Sequence, residues 1–272
     1  MGARLRSPRP LQARRRLHIC ELSLATGDHS RQTEKDDMTQ TDPIELYYWP
    51  TPNGWKITIF MEETGTSYTV KYVNIGRGEQ FAPDFLAIAP NNRMPAIIDP
   101  EGPDGQPISI FESGAILLYL GRKTGQFYPA EERARVEVEQ WLMWQMGNFG
   151  PMLGQNHHFR NYADERLDYA VQRYENEADR LYGVLDARLA DREFIAGDYS
   201  IADMAIVGWA RGHARQGVAI HEFPNVSRWL DMMLARPAVQ RGIAVGKDRR
   251  VDLATDAEAK KVLFNQRARR AS

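Results

Sequence analysis

The chain has 272 residues, of which 43% are hydrophobic and 26% are charged, and its length suits one large domain or two modest ones. The formal net charge of -1 gives no overall bias toward nucleic acid or membrane surfaces, and no apolar run approaches the ~18 residues of a membrane span. The single cysteine, Cys20, excludes an intrachain disulfide and a metal site built from cysteines, and such cysteine poverty fits a reducing cytoplasm.

Residues 1–43 differ from the rest of the chain. The first twenty carry six arginines and no acidic residue, and no hydrophobic period is sustained. An Arg-rich, acid-poor start is typical of a transit peptide. The interpretation we favour is a disordered or non-native leader, with Met38 as an alternative start just ahead of the first predicted strand.

The residues that follow alternate between strand and helix patterns. Short apolar or alternating runs predict strands at residues 44–49, 68–74, 95–99 and 108–111. Helical patterns lie between them at residues 56–64, 81–88 and 113–124. Turn-forming residues at 102–105 join the last two strands into a hairpin. A helix crossing between parallel strands, followed by a hairpin, predicts a thioredoxin-like α/β domain over residues 44–127.

Beyond this domain the sequence predicts helices alone. Long helical patterns cover residues 133–146, 164–189, 200–215 and 226–235. We therefore expect an all-α bundle over residues 132–246, and then a C-terminal tail, residues 247–272, with a short helix at 256–264. Ser200 and Asp203 form a capping-box arrangement, which starts a helix and is not a catalytic pair, and Tyr199 adds a candidate hydrophobic staple.

The most informative stretch lies between the first strand and the first helix, at residues 50–56. Its sequence, Pro-Thr-Pro-Asn-Gly-Trp-Lys, predicts a tight polar turn from strand to helix. Such a turn aims backbone N–H groups and one hydroxyl at a helix start, where an anion is best stabilised. The turn contains no cysteine. If it handles a thiol, that thiol must arrive with a ligand.

Two motifs next to predicted strands suggest that a peptide-like ligand binds here. Pro95 opens a strand, so a cis Met94–Pro95 bond would turn the backbone of Met94 outward to pair with an extended peptide. An ordinary trans proline is the alternative. Glu112 and Ser113 lie where a strand ends and a helix begins, and they could bind an ammonium and a carboxylate group. The alternative is simple capping of that helix by Ser113.

A pair of adjacent histidines, His157 and His158, follows a helix break predicted at residues 150–151. Adjacent residues do not share a helix face, so the histidines make a poor metal pair and we predict no metal site. Polar and aromatic residues beside the break could line a cleft, or they could form a polar turn.

These features together resemble the cytosolic glutathione transferases. The α/β half precedes the helical half, as in that family. Three motifs also match it: Met94-Pro95, Glu112-Ser113 and the Ser200/Asp203 capping box. Residues 51–57, 90–97 and 150–155 are more specifically similar to the Nu class, which are bacterial glutathione-dependent disulfide-bond reductases. The resemblance covers about residues 44–265 and does not include the leader.

The resemblance implies that Thr51 and Asn53 face the sulfur of bound glutathione, where other classes use Tyr, Ser or Cys. A free thiol has a pKa of about 8.5, and the thiolate is the nucleophile. A hydroxyl and an amide donor pointed at the sulfur would stabilise the anion without a general base. Without a protein cysteine in the exchange, we expect two glutathione molecules, or oxidised glutathione, in one cleft.

The resemblance also implies contacts along the rest of the tripeptide. The backbone of Met94, next to Pro95, would pair with the cysteinyl unit. Glu112 and Ser113 would bind the γ-glutamyl end. Gln80 would reach the other end.

Arg173, on the long helix of the bundle, would add a charge contact to glutathione. The alternative is a surface arginine that pairs with neighbours on its own helical stripe, where Tyr169 and Glu177 lie.

The resemblance implies a glutathione-dependent disulfide-bond reductase that uses the thiolate of bound glutathione. A transferase that conjugates glutathione to small electrophiles is the alternative, since both reactions need the same thiolate. A non-catalytic regulatory protein on the same fold is a third possibility, of another class. The family further implies a cytoplasmic homodimer whose partner is a small disulfide or electrophile, with no nucleic-acid or membrane partner.

Overall fold

The computed structural model describes residues 42–250 and 256–266. Cys20 and nearly all of the predicted leader lie outside the described residues, as do residues 251–255 and 267–272 of the predicted tail. No helix within the described ranges is long and apolar enough to cross a membrane.

A mixed four-stranded sheet forms the N-terminal half. Its strands are β1 (Ile44–Tyr48), β2 (Tyr68–Tyr72), β3 (Ala96–Asp99) and β4 (Ile108–Phe111). The order across the sheet is β2-β1-β3-β4, with β1 parallel to β2 and antiparallel to β3, and β3 antiparallel to β4. Leu46 of β1 is paired with Val70 on one side and Ile97 on the other. The predicted thioredoxin-like topology, including the hairpin, is confirmed.

Three helices accompany the sheet: α1 (Pro52–Thr64), α2 (Pro83–Ile88) and α3 (Ser113–Thr124). Helix α1 begins at Pro52, earlier than predicted, so the polar turn is in fact its first turn. Proline at the start of a helix lacks an N–H that would have no partner there, and Thr51 caps the end by accepting from the Gly54 N–H at 3.3 Å. Asn53 and Gly54 are weak helix formers, which hid this start from the sequence pattern.

Within the described ranges, the C-terminal half is built from helices and their connecting loops, one of which contains two isolated β-bridges. Its helices are α4 (Glu132–Trp144), α5 (Gly150–His157), α6 (Asp168–Leu189), α7 (Ile201–Ala210), α8 (His213–Gln216), α9 (Pro224–Ala235), α10 (Pro237–Ala244) and α11 (Ala257–Phe264). The all-α prediction is confirmed, and so is the helix of the tail. The predicted single helix at residues 200–215 is wrong, because the chain turns between α7 and α8.

The helix break predicted at residues 150–151 is also wrong. Two π-helical turns, Gln145–Phe149 and His158–Tyr162, flank α5 and keep the chain helical from the start of α4 to Tyr162. Pro151 lies in the first turn of α5, where its missing N–H is tolerated. Wide π turns are frequent at functional sites, since they re-aim side chains without ending the helix.

Helix α1 is buried on nearly all sides, between the sheet and helices α7 and α10. Residues 54–61 are all buried. At the crossing with α10, a Cβ atom on Gly242 would lie 2.7 Å from the Ile59 backbone, so only glycine permits this approach. Thr58 Oγ1 donates to the Gly242 carbonyl at 2.8 Å, which fixes the contact further. The start of α1 is therefore held in a fixed position relative to the helical half.

The capping box at the start of α7 is confirmed, and it does more than cap. The buried Asp203 carboxylate accepts hydrogen bonds from the Ser200 backbone and hydroxyl, the Ile195 N–H and the Trp229 Nε1–H. Burial raises the pKa of Asp203 to about 6, against the effect of these four hydrogen bonds. One carboxylate thus joins α7, α9 and the loop that precedes α7.

We predict that Asp203→Ala lowers the free energy of unfolding by about 3 kcal/mol or more, because it leaves three buried N–H donors without an acceptor. Urea unfolding measures this loss. Asp198→Ala, which removes an exposed carboxylate five residues earlier, is the matched control and is expected to change stability by less than about 0.5 kcal/mol. A loss below about 1 kcal/mol for Asp203→Ala would contradict the prediction.

Candidate functional site

A cavity of about 800 Å³ lies at the N-terminus of α1. This volume is near the upper end of the range for small-molecule sites. Its walls come from the first turn of α1, the loop before β3, the start of α3, the π and α5 segments, Trp209 of α7 and the end of α11. Six of the predicted site residues line it: Thr51, Asn53, Met94, Pro95, Glu112 and Ser113.

Two of the predicted binding residues, Gln80 and Arg173, do not line this cavity. The buried Gln80 side chain donates its Nε2 to the Ile75 carbonyl at 3.2 Å, and its Oε1 has no partner among the described residues. Arg173 is exposed on α6. The pKa of the Glu177 carboxyl is lowered mainly by its hydrogen bond with Arg180, and the charge of Arg173 lowers it further. The structure therefore brings neither residue to the other six.

The Thr51 hydroxyl is both a helix cap and a donor at the cavity wall. Its oxygen accepts from the Gly54 N–H, and its hydrogen points at the Met94 sulfur, 3.7 Å from the oxygen. A thiolate is a stronger acceptor than a thioether, so a ligand sulfur would displace this weak contact. Helix α1 has no acidic side chain in its first turn, which leaves its positive end free to stabilise an anion.

Asn53 is oriented by a residue that the sequence did not reveal. Trp209 Nε1 donates to Asn53 Oδ1 at 3.0 Å, so the oxygen of the amide is occupied. The amide nitrogen of Asn53 has no partner among the described residues and remains a donor. Trp209 lines the same cavity, and only the packing of α7 on α1 brings the two residues together.

Helix α3 begins at Ser113, as predicted, but Ser113 is not its cap. Glu112, not Ser113, occupies the cap position, and its side chain makes no capping hydrogen bond. Its backbone has φ of 69°, in a region that a side chain rarely adopts and that functional sites often contain. The Glu112 carboxylate accepts from Asn91 Nδ2 at 3.1 Å and lines the cavity. The Met94–Pro95 bond is cis, as predicted.

A buried lysine, Lys56, lies at the wall of the cavity and is a second residue that sequence reasoning left without a role. It is 1% exposed. Its Nζ donates to Gln145 Oε1 at 2.9 Å and to Ser113 Oγ at 3.3 Å, and it lies 3.5 Å from the Met146 sulfur. A single lysine inside an otherwise apolar helical run was the available signal for this residue.

Burial lowers the pKa of Lys56 to about 7, and the negative charge of Glu112 acts in the opposite direction. Because Lys56 donates to the Ser113 oxygen, the hydrogen of that hydroxyl points at the Met146 sulfur, 3.7 Å from the oxygen. A thioether is a weak acceptor, so an acidic ligand group would displace this contact. Ser113 is therefore positioned as a donor to an acidic group.

The adjacent histidines, His157 and His158, lie in different surroundings. Burial, with a smaller effect of Arg215, lowers the pKa of His157 to about 4. His158 faces the cavity, where its ring lies 4.6 Å from that of Phe264 on α11. No group of three His, Cys, Asp or Glu side chains within the described ranges could hold a metal ion.

Two family models match the chain: the N-terminal domain of glutathione S-transferases over residues 42–122 and the C-terminal domain over residues 149–237. The disulfide-bond oxidoreductase YfcG of Escherichia coli strain K12 is 48% identical over 202 residues, which cover 74% of this chain and 94% of YfcG. The transcriptional regulator URE2 of Saccharomyces cerevisiae is 33% identical over 248 residues, covering 75% of this chain and 69% of URE2.

Solved structures show the same similarity. A glutathione transferase family member from Pseudomonas fluorescens, with two glutathione molecules bound, has a TM-score of 0.72 and 46% identity, covering 76% of this chain and 95% of its own. A glutathione transferase from Pseudomonas putida, with one glutathione disulfide bound per subunit, has a TM-score of 0.73 and 42% identity. The match covers 77% of this chain and 94% of that transferase. Ure2p has been solved in complex with glutathione.

We predict a pH-dependent stability difference between the wild type and Lys56→Met. Burial lowers the pKa of Lys56 in the native state to about 7, below its ordinary value of 10.5, so the native state binds fewer protons than the unfolded state between these values. The contribution of Lys56 to stability therefore rises with pH in this window and is lost as pH falls toward about 7. Urea unfolding should show that the free energy of unfolding of the wild type, relative to that of Lys56→Met, increases between about pH 6 and pH 9. The exposed Lys247 provides a control, Lys247→Met. A difference independent of pH would contradict the prediction.

Proposed function

The chain belongs to the glutathione S-transferase family, and from this premise we propose that it is a glutathione-dependent disulfide-bond reductase of the Nu-class type. The observation that carries the proposal is the pair of donors on Thr51 and Asn53 at the start of α1, with no cysteine among the described residues. Such a site stabilises a thiolate but supplies no sulfur. The named activity of YfcG, and the relatives solved with two glutathione molecules or with glutathione disulfide, support the same function.

The reaction uses two glutathione thiols. The thiolate of the first, held against Thr51 and Asn53, attacks one sulfur of the substrate disulfide. The S–S bond breaks, a mixed disulfide of glutathione and substrate forms, and one substrate thiolate leaves and takes a proton from solvent. A second glutathione thiolate then attacks the glutathione sulfur of the mixed disulfide. The products are oxidised glutathione and two substrate thiols, so the two glutathione molecules supply both electrons.

The remaining cavity residues bind the tripeptide in this proposal. The Ser113 hydroxyl, whose oxygen accepts from Lys56, exchanges its weak contact with the Met146 sulfur for a hydrogen bond to the γ-glutamyl carboxylate, and Glu112 accepts from the γ-glutamyl ammonium. The Met94 backbone pairs with the cysteinyl unit. Gln80 and Arg173, which lie away from the cavity, stay predictions for contacts at the ends of the tripeptide.

We further infer a homodimer that works in the cytoplasm. Three large apolar side chains are exposed: Phe111 at the end of β4, and Val136 and Met143 on α4. Exposed apolar side chains are expected of a surface that a partner covers. Dimerisation is typical of this fold. Analytical ultracentrifugation tests it, and a monomer at micromolar concentration would contradict it.

The leading function predicts that the protein reduces hydroxyethyl disulfide with glutathione and conjugates chlorodinitrobenzene slowly or not at all. Formation of oxidised glutathione measures the first reaction, and absorbance of the conjugate measures the second. Strong conjugation without disulfide turnover would contradict the reductase function and show that the protein is a conjugating transferase. Glutathione binding without either activity would indicate a regulatory protein, since the relative URE2 is a named regulator and Ure2p has been solved with glutathione.

Replacing either donor to the sulfur is predicted to lower turnover more than glutathione affinity. We expect Thr51→Ala and Asn53→Ala each to reduce kcat by about 10- to 100-fold at neutral pH, the effect of one hydrogen bond to a charged group. The loss should shrink as the pH rises past about 8.5, where the thiolate forms unaided. Thr51→Ser, which keeps the hydroxyl and the helix cap, is the matched control. A kcat unchanged in both alanine variants would mean that the turn only shapes the fold.

A further inference from the structure

A second cavity, of about 130 Å³, adjoins the main one. Thr51 and Pro52 line both cavities, so the two share the wall at the start of α1. We call the smaller one the arginine cavity. Its other walls include Trp49, Pro50, Asn74, Tyr162, Arg215 and Arg250.

Among the described residues, Asn74 and Tyr162 of the arginine cavity each keep a hydrogen-bond donor without an acceptor. Asn74 Oδ1 accepts from the Gly76 N–H at 3.1 Å, which leaves the amide NH₂ free. The Tyr162 hydroxyl accepts from Arg215 Nη2 at 3.4 Å, which leaves its hydrogen free. Arg215 and Arg250 add two guanidinium groups, and none of the described residues that line the cavity is acidic. The Glu79 carboxylate of the nearby loop is engaged by the Asn74 backbone N–H.

Aromatic rings, not carboxylates, hold the arginines here. Arg250 and the neighbouring Arg211 lie over the ring of Trp55, at 5.2 and 4.9 Å, and Arg215 lies over Tyr162 at 5.8 Å. Within the part of the chain that the structure describes, none of these three arginines forms a salt bridge.

Like charges without a counter-ion among the described residues repel one another in the folded protein. The strain is visible at Arg211, where burial and the positive charge of Arg250 both lower the guanidinium pKa. An anion between these groups would relieve the repulsion and satisfy the free donors. A cavity of about 130 Å³ holds one carboxylate with a few waters, since a water occupies about 30 Å³, but not a whole tripeptide.

We propose that the arginine cavity binds a carboxylate of the disulfide substrate while the reacting sulfur lies beside Thr51. This inference rests on the proposed reductase function and specifies its substrate class. Thr51 provides the link, because its hydroxyl faces the main cavity and the same residue walls the arginine cavity. The substrates are therefore acidic disulfides, and neutral or cationic disulfides of the same size are poorer.

Three disulfides of similar length test the preference: dithiodipropionate, hydroxyethyl disulfide and cystamine, which are acidic, neutral and cationic. With glutathione as reductant, kcat/KM is expected to fall about tenfold from the acidic to the neutral disulfide, as for one charge-assisted hydrogen bond, and further for the cation. The preference should weaken as ionic strength rises. Equal values for all three would overturn the proposal.

The double variant Arg215→Gln/Arg250→Gln is expected to bring the ratio of kcat/KM for the acidic over the neutral disulfide to about one. Both side chains are exposed, so the variant should fold. Arg166→Gln/Arg180→Gln removes the same charge from exposed arginines outside both cavities and should keep the wild-type ratio. An unchanged ratio in the Arg215/Arg250 variant, or an equal fall in the control, would overturn the proposal.

A binding assay separates this inference from the reductase function. S-carboxyethylglutathione and S-hydroxyethylglutathione are unreactive thioethers that mimic the mixed disulfide, and calorimetry compares their Kd values. The wild type should bind the carboxylated form about tenfold more tightly, and the Arg215/Arg250 variant should not discriminate. If this preference holds without any disulfide turnover, the reductase proposal is wrong, and carboxylate binding by the arginine cavity is supported. If disulfides turn over with no preference in either assay, the arginine cavity is refuted and the reductase stands.

Discussion

The close packing of helix α1 against the helical half is the constraint on which the site depends. Gly242 lets α10 approach the α1 backbone, and Thr58 donates across that contact, so the buried helix cannot shift along its axis. At its N-terminus, a Cβ atom on Gly54 would lie 2.4 Å from the Trp49 carbonyl, and glycine alone lets the strand turn directly into the helix. The free N–H groups of α1 and the Thr51 hydroxyl are thereby held at one point in space. A site preorganised in this way needs no general base, since the donors are in place before the thiol arrives.

The helical half supplies what the α/β half lacks. Trp209 orients the Asn53 amide, and Gln145 accepts from the buried ammonium of Lys56, which in turn orients Ser113. Burying an ammonium among these groups is unfavourable, as the lowered pKa of Lys56 records. The Asp203 network helps to offset such costs by joining several helices through one carboxylate. The active cleft is therefore a product of both halves, although every predicted site residue except Arg173 lies in the first.

Local signals in the sequence predicted the strands, the cis Met94–Pro95 bond and the Asp203 capping box, because each depends on residues close together in the chain. The start of α1 was misplaced, because tertiary packing decides it. The Trp49 carbonyl leaves no room for a side chain at position 54, so a glycine lies in this helix despite its weak helix propensity. The continuous helix through residues 145–162 was missed because π turns have no simple sequence period. Trp209 is 156 residues from Asn53, so no local pattern could have paired them. The roles of Thr51 and Asn53 came from the family resemblance, and the geometry makes them chemically reasonable.

Stabilisation of the glutathione thiolate by this protein is the property from which its chemistry follows. Thiolate absorbance in the ultraviolet, measured against pH for saturated protein and for free glutathione, gives the pKa of the bound thiol. We expect a midpoint at least about one pH unit below the free value of about 8.5, because two side-chain donors and a helix N-terminus favour the anion. A midpoint equal to that of free glutathione would contradict the account, whatever the turnover of any substrate.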